Sequence, residues 1–274
     1  MRNNQKRFGG PQVAPQASSP VASTSELAFA VPTEFVELPS RGQFYPDGHP
    51  LHNQETVEIK FMTAKDEDIL SSEALLKKGL AVDRLLESIL VLDISPDNLL
   101  VGDKNAILIA SRISAYGSSY EIKYSCPNCK KNQNIDFNLT DAVINDSCFD
   151  EVLLQKENVV FNKETLTFDV VLPGSGVPVG LRLIEGQNET KLGENPDSLI
   201  TSLLSTILVK VNENLDVEYA KAFIDILPAK DSKYIRDLYP KLVPNIRLDH
   251  TFSCSECFFQ QPLEVPLTAA FFWP

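Results

Sequence analysis

The 274-residue chain is globular in composition and acidic, with 43% hydrophobic residues and a formal net charge of -12. This hydrophobic content is sufficient for the packed core of one large domain or two small ones. Because polyanions are bound through clustered Lys and Arg, the charge argues against a broad surface for nucleic acid or anionic lipid. A protein partner is the better expectation.

No apolar run reaches the roughly 20 residues that a membrane helix needs, and the first residues lack the apolar stretch of a secretory signal. We therefore expect no membrane span, and folding in a cytoplasm. The chain has five cysteines. Four of them form two C-x-x-C pairs, which fits a reducing compartment better than a disulfide framework.

The N-terminal third begins with a predicted flexible tail over residues 1–32, which are rich in Pro, Ala, Ser and Gln. Such a composition buries too little surface to offset the entropy of ordering. Residues 35–47 contain Pro and Gly at turn positions and predict an extended surface segment. The polar and apolar alternation over residues 55–62 predicts a strand.

Three helices are predicted next. The first begins at Thr63, which is followed by acidic residues in the first turn, and runs through Leu70. The second has an apolar face over residues 82–90, and the third covers 103–115 and stops at Gly117. A strand over residues 120–124 then leads into the first cysteine pair.

The second half repeats this order. Apolar strands over 165–172 and 179–184 precede a helix with an apolar face from Leu199 to Leu208, and an added helix is predicted around 217–227. LLSTILV (203–209) matches LLESILV (85–91) at five of seven positions. Three further pairs share one offset of 128 residues: Asp103 with Asp231, Ile107 with Ile235, and Cys126 with Cys254. The shared order indicates internal duplication.

The two cysteine segments predict one metal site. Each has an alternating strand, a C-x-x-C turn and a second alternating strand. Two intervening residues allow both sulfurs of a pair to face one ion, so each hairpin can supply half of a tetrahedral S4 shell. We predict one structural zinc ion, whose ligands are Cys126, Cys129, Cys254 and Cys257.

Redox-active dithiols are the main alternative to zinc, and iron or another metal is a further one. An active dithiol normally lies at a helix N-terminus that depresses its pKa, whereas these pairs lie between strands. Cys148 has no counterpart in the other half and is predicted to be a buried or idle thiol. His250 is interpreted as a strand residue, and Lys123, Lys130 and Lys131 either offset the charge of the zinc centre or are ordinary solvated lysines.

These observations predict an α+β fold in which two similar helical halves are joined by a four-stranded zinc ribbon of two C-x-x-C hairpins. After the tail, the first repeat is expected over residues 33–140 and the second over 141–274. The sequence contains no Walker loop, dinucleotide fingerprint, H-E-x-x-H or G-x-S-x-G motif. A closed four-cysteine shell leaves zinc no open position for a substrate, so we expect no enzymatic activity.

Five segments resemble one known family: LPSRGQFYPDGHPL, VEIKFMTAKDEDIL, CPNC, CSEC and the ending LTAAFFWP. The family is the zinc-ribbon-containing baseplate hub subunit of T-even-type contractile-tailed phages, and the resemblance extends from about residue 33 to the C-terminus. It implies a structural subunit of the central hub of the tail baseplate, which would link the tube and tape-measure end to hub and spike proteins. The implied location is the virion, after assembly in the host cytoplasm.

Two other roles stay open at this point. A hub assembly factor, or chaperone, that leaves before the virion matures would also fit the flexible tail and any exposed aromatic residues. A zinc-ribbon nucleic-acid binder is suggested by the ribbon alone and is opposed by the acidic charge. The aromatic ending, Phe271, Phe272 and Trp273, either completes the protein's own core or anchors a neighbour.

Overall fold

The computed structural model describes residues 31–188, 199–265, 267 and 269–273. Nearly all of the tail predicted over residues 1–32 lies outside the described residues. The chain from Pro32 onward forms one compact unit. It combines α-helices with several small antiparallel sheets, which confirms the predicted mixture of helices and strands.

The α-helices with both ends among the described residues are α1 (Ala64–Ser71), α2 (Glu73–Lys78), α3 (Ala81–Ile89), α4 (Val101–Tyr116), α5 (Glu151–Lys156), α6 (Leu199–Ile207), α7 (Val217–Asp225) and α8 (Ala229–Leu242). The strands are β1 (Thr33–Glu37), β2 (Thr56–Lys60), β3 (Ser119–Ser125), β4 (Asn132–Asn138), β5 (Val143–Asn145), β6 (Val160–Asn162), β7 (Thr167–Val171), β8 (Pro178–Leu181), β9 (Leu208–Val211), β10 (Asn245–Arg247), β11 (Asp249–Ser253) and β12 (Gln260–Glu264).

The predicted elements of the first half are present. Strand β2 lies within the predicted 55–62 segment and pairs with β1, and helix α1 begins after Thr63. The carboxylate of Asp66 accepts hydrogen bonds of 2.7 Å from both the backbone N–H and the hydroxyl of Thr63. An unpredicted short helix, α2, ends at Gly79, whose φ of 70° favours glycine.

Helices α3 and α4 form much of the core of this half. The apolar face of α3 is buried as predicted, and α4 extends over the predicted 103–115 segment to Gly117. Near the start of α4, a glycine is required at position 102 because the backbone of Pro244 approaches it closely. A Cβ atom there would lie 1.9 Å from the carbonyl oxygen of Pro244. No side chain can occupy that space, so α4 and the segment leading into β10 are packed backbone to backbone.

The second half contains an antiparallel sheet with the strand order β6-β7-β8-β9. Strands β7 and β8 correspond to the predicted apolar strands, and α7 to the predicted added helix. The helix predicted through Leu208 is wrong at its end, because α6 stops at Ile207 and Leu208 begins strand β9. Leu208 pairs with Leu181 of β8, so the sheet rather than the helical period determines its conformation.

One hydrophobic core contains residues from both predicted repeats. Leu51, Leu85 and Ile107 come from the first, and Phe168 and Ile235 from the second. The aromatic ending joins the same core in part.

Phe271 and Phe272 have no exposed surface, whereas Trp273 is 42% exposed. The buried guanidinium of Arg112 on α4 donates from Nε to the carbonyl oxygen of Phe271 over 3.2 Å. The ending therefore completes the core through its first two aromatic residues, and Trp273 alone is available to solvent.

A buried carboxylate near the start of α4 holds the turn that follows β1. Asp103 has no exposed surface. It accepts hydrogen bonds from the backbone N–H of Ser40 at 3.0 Å, from the Ser40 hydroxyl at 2.5 Å and from the Tyr45 hydroxyl at 2.8 Å. Burial raises the pKa of Asp103, while these three hydrogen bonds act in the opposite direction.

A second buried carboxylate near the start of α8 holds the turn between β7 and β8. Asp231 also has no exposed surface. It accepts from the backbone N–H of Gly174 at 2.6 Å and from that of Ser175 at 2.8 Å. The two turns have related sequences, LPSRG (38–42) and LPGSG (172–176), and each ends in a glycine with positive φ.

The two cysteine-containing segments form hairpins, as predicted. Strands β3 and β4 make one two-stranded antiparallel sheet, and β11 and β12 make another. The four strands do not pair with one another as a single hydrogen-bonded sheet within the described residues. The structure therefore contains the two predicted hairpins, but its described strands do not form one four-stranded ribbon.

Candidate metal centre

The two hairpins bring all four C-x-x-C cysteines into one cluster. The Sγ atoms of Cys126 and Cys257 lie 3.7 Å apart, and those of Cys129 and Cys254 lie 3.6 Å apart. All four sulfurs lie within 4.8 Å of one another. Each short distance joins cysteines from different hairpins, so the cluster connects segments more than 120 residues apart in sequence.

The first cysteine turn is fixed by backbone hydrogen bonds. The N–H of Cys126 donates to the carbonyl of Lys131 and the N–H of Lys130 donates to the carbonyl of Cys126, both over 2.9 Å. Lys130 has a φ of 61°, in the left-handed region that lets the chain reverse after the second cysteine. The reversal is what carries the chain from β3 into β4 with both sulfurs on one side.

The second cysteine turn has the same geometry. The N–H of Cys254 donates to the carbonyl of Phe259 over 2.9 Å, and the N–H of Phe258 donates to the carbonyl of Cys254 over 3.0 Å. Phe258 has a φ of 58°, close to that of Lys130 at the corresponding position. Two turns of one conformation therefore face each other across the sulfur cluster.

The distances fit tetrahedral coordination by sulfur. A Zn–S bond of about 2.3 Å implies sulfurs separated by about 3.8 Å in a regular tetrahedron. Two of the separations, 3.6 and 3.7 Å, are close to that value. Cys126 and Cys254 are almost fully buried, and Cys129 and Cys257 are half-buried. The four cysteines could thus hold one metal ion in a closed shell.

Two amide side chains donate to the sulfurs. Gln133 Nε2 lies 3.2 Å from Cys254 Sγ and also donates to Ser255 Oγ over 3.0 Å. Asn128 Nδ2 lies 3.5 Å from Cys257 Sγ. Both amides belong to the first hairpin and both sulfurs to the second. Such donors orient thiolate ligands and stabilise their negative charge, and they hold the hairpins together.

The thiols differ in acidity. For Cys254, desolvation raises the pKa, but backbone N–H groups of Glu256 and Cys257 and the neighbouring thiols outweigh it and lower the pKa to about 6. For Cys129, the backbone N–H of Lys131 lowers the pKa, but desolvation and the other three thiols outweigh it and raise the pKa to about 12. A dication binding the cluster would displace the protons that remain on such thiols.

The other residues singled out in the sequence lie outside the cluster. Cys148 is 4% exposed in a 3-10 helix (Ser147–Phe149), and burial raises the pKa of its thiol to about 12. The ring of His250 packs edge-on against Phe137 with centroids 4.9 Å apart. Lys123, Lys130 and Lys131 are exposed near the first cysteine turn.

Sequence reasoning found the four cysteines but missed Gln133 and Asn128. Asn128 lies inside the first C-x-x-C turn and Gln133 is the second residue of β4. An Asn or Gln at either position does not by itself indicate a contact with a metal ligand. The contacts depend on the second hairpin, which approaches from a distant part of the chain.

No helix among the described residues is long and apolar enough to cross a membrane. The fold and the cysteine cluster define a mixed α and β protein with a candidate tetrathiolate metal centre. A family model described as T4 bacteriophage base plate protein matches residues 32–273, and the chain belongs to this family. The protein is thus a component of the phage tail baseplate in the virion. Comparisons with curated proteins and with solved structures gave no match.

Proposed function

We propose that the protein is a non-enzymatic structural subunit of the central hub of the baseplate, held together by one zinc ion. The family match over residues 32–273 carries the baseplate role. The hub position, and contacts with tube, tape-measure and spike proteins, rest on the resemblance of the five sequence segments. The subunit acts as an adaptor that presents fixed surfaces to these neighbours.

Zinc is the proposed ion because four thiolates in a tetrahedral arrangement are a donor set that zinc prefers in structural sites. The sulfur separations and the amide donors from Gln133 and Asn128 support this choice. Four protein ligands leave no open coordination position, so the ion stabilises the fold and does not activate water. Binding free energy at such a site contributes directly to folding.

An internal duplication is part of the proposal, with repeats over residues 33–140 and 141–274. The two cysteine turns support it, and so do the two buried carboxylates, Asp103 and Asp231, because each holds an LP turn that follows a strand. The strand pairing that follows the matched helices α3 and α6 also supports the duplication. Leu90 bridges Ile59 of β2, and Leu208, its counterpart, pairs with a residue of β8.

Mass spectrometry of purified tails tests the structural role. We expect the chain in finished particles at a fixed ratio to other baseplate proteins. Complete absence from the tails would contradict the proposal. Presence only in assembly intermediates would instead favour the alternative role of a hub assembly factor.

Two further classes of protein are distinguished by separate measurements. A nucleic-acid binder would show salt-sensitive binding to DNA or RNA, which we do not expect from a chain with a net charge of -12. A thiol oxidoreductase would form disulfides between its C-x-x-C cysteines. A thiol count combined with metal analysis separates that activity from a zinc site.

A further inference from the structure

The free edge of strand β1 carries unpaired backbone groups. Strand β1 pairs only with β2 among the described residues, in an antiparallel register that places Phe35 opposite Glu58. The bonds at both ends of the ladder, Phe61 N–H to Pro32 and Leu38 N–H to Glu55, fix which residues face β2. In an antiparallel pair these alternate along the strand.

It follows that Glu34 and Val36 bond to β2, whereas Thr33, Phe35 and Glu37 direct their N–H and C=O groups away from it. These three residues are exposed. Their outward backbone groups bond to no other described residue. A row of such groups is a template for one more strand, and proteins usually blunt or cover it.

Phe35 places an exposed aromatic ring on this edge. Its side chain is 70% exposed, although it lies at the centre of the strand. Scattered exposed apolar residues are normal on protein surfaces. Here, however, the aromatic ring lies beside free backbone donors and acceptors, and an added strand would cover the ring with a cross-strand neighbour.

A cavity lies at the Glu37 end of the β1–β2 hairpin. It has a volume of about 370 Å³, and its charged lining residues are Glu37, Glu55, Asp146 and Arg41. Arg41 is paired with Asp146 at 2.9 Å. Glu37 and Glu55 form no ion pair with any other described residue, so they offer two carboxylates to a positively charged side chain.

We propose that β1 accepts an extended segment of a neighbouring baseplate protein as an added strand. The segment has a large apolar residue facing Phe35 and a Lys or Arg two positions away that lies beside Glu37, next to the cavity that Glu55 also lines. The two-residue spacing follows from strand geometry, in which alternate side chains share a face. This inference rests on the proposed structural function, because it describes how the subunit is held by its neighbour.

Charge favours this occupant over a second copy of the same chain. Pairing two copies through β1 would leave Glu37 and Glu55 without a basic partner on either side. It would also bring together two chains that each carry a net charge of -12. A basic segment of another protein would pair with the backbone groups of β1, cover the ring of Phe35 and place a positive charge near the carboxylates of the cavity.

Photo-cross-linking in tails tests the proposal. The full chain is produced with benzoyl-phenylalanine in place of Phe35 during infection by the phage that encodes it, and irradiated tails are analysed by mass spectrometry. We expect a link to another baseplate protein, at a segment with the apolar and basic residues two positions apart. Val160 is the control position, because it is 67% exposed on the edge strand β6. The same cross-linker there should not capture that segment.

Substitution gives a second test. Phe35→Lys should reduce the number of copies per tail by about tenfold or more, as expected when a central aromatic contact is lost, while Val160→Lys leaves it unchanged. Both variants should melt like the wild type, since both side chains are exposed.

If the unmodified chain is absent from tails, the structural function itself fails. If the chain is present but residue 35 forms no link to another protein, links only to a second copy, or tolerates lysine, then the added strand alone is refuted.

Discussion

The Sγ atoms of Cys129 and Cys254 lie 3.6 Å apart, although the two residues belong to hairpins separated by 125 positions in the chain. This contact couples the folding of the first hairpin to that of the second hairpin and of the chain between them. Loop closure becomes only slowly more costly with length, so a wide separation is no barrier to such a site. The resulting link makes the cluster the most informative place to perturb the protein.

Removing one sulfur should release the metal. We expect one zinc ion per wild-type chain by elemental analysis, and none in Cys129→Ala or Cys257→Ala. Each variant should lose at least about 3 kcal/mol of unfolding free energy, because a structural zinc site contributes its binding energy to folding. Both halves should be destabilised in one thermal transition.

Cys148→Ala is the matched control for the metal prediction. Cys148 is also buried, but it lies outside the cluster. Its substitution should cost about 1 kcal/mol for lost packing and leave the zinc content unchanged. A wild-type melting curve for Cys129→Ala or Cys257→Ala would contradict a structural metal site.

Local features of the fold were accessible from the sequence. The C-x-x-C turns, the apolar face of α3 and the glycine that ends α4 depend on residues close together in the chain, and the structure contains each of them. Their signals are spacing and periodicity, which need no knowledge of distant partners.

Features that depend on distant partners were not accessible. Leu208 continues the helical spacing of the preceding residues, yet it pairs with Leu181 in a sheet. Ser40 and Tyr45 converge on Asp103 from about 60 positions away. Nothing in the sequence near Asp103 distinguishes a buried acceptor from the acidic residues common in the first turn of a helix.

Substitution of either buried aspartate should be strongly destabilising. Asp103→Asn and Asp231→Asn each replace an acceptor oxygen with an NH2 group that faces existing donors. We expect each to cost about 2–4 kcal/mol in urea unfolding, because a buried donor would lose its partner. Asp237→Asn is the control. It breaks an exposed ion pair with Lys233 and should leave the urea unfolding midpoint close to that of the wild type. Equal effects of all three substitutions would mean that the two turns are not held by Asp103 and Asp231.

Substitutions in the aromatic ending should have unequal effects on stability, because Phe271 and Phe272 are buried and Trp273 is partly exposed. Phe271→Ala and Phe272→Ala each remove a side chain with no exposed surface and should cost about 3–5 kcal/mol. Trp273 is 42% exposed, so Trp273→Ala should cost about 1 kcal/mol or less. Thermal melting of the three variants checks this order. A stable Phe272→Ala variant that fails to enter tails would instead identify the ending as an anchor for a neighbour.

Buried tyrosines should make the protein sensitive to alkali. Burial raises the pKa of Tyr45 well above its usual value, and Asp103 beside it adds to the shift. Burial also raises the pKa of Tyr239, whose hydroxyl donates to the carbonyl of Arg182 over 3.1 Å and accepts from the N–H of Ile184 over 3.0 Å. Both hydroxyls must keep their protons to make these contacts in the folded state.

In the unfolded chain a tyrosine loses its proton near pH 10, because its pKa there has the usual value of about 10. Above that pH the folded state binds more protons than the unfolded state, so the unfolding free energy falls as pH rises. Each such tyrosine should contribute a decline of about 1.4 kcal/mol per pH unit. Urea unfolding between pH 8 and 11 measures this slope. Tyr239→Phe should be less stable than the wild type at pH 8 and should decline less steeply above pH 10. An unchanged slope in that variant would show that Tyr239 ionises without unfolding the protein.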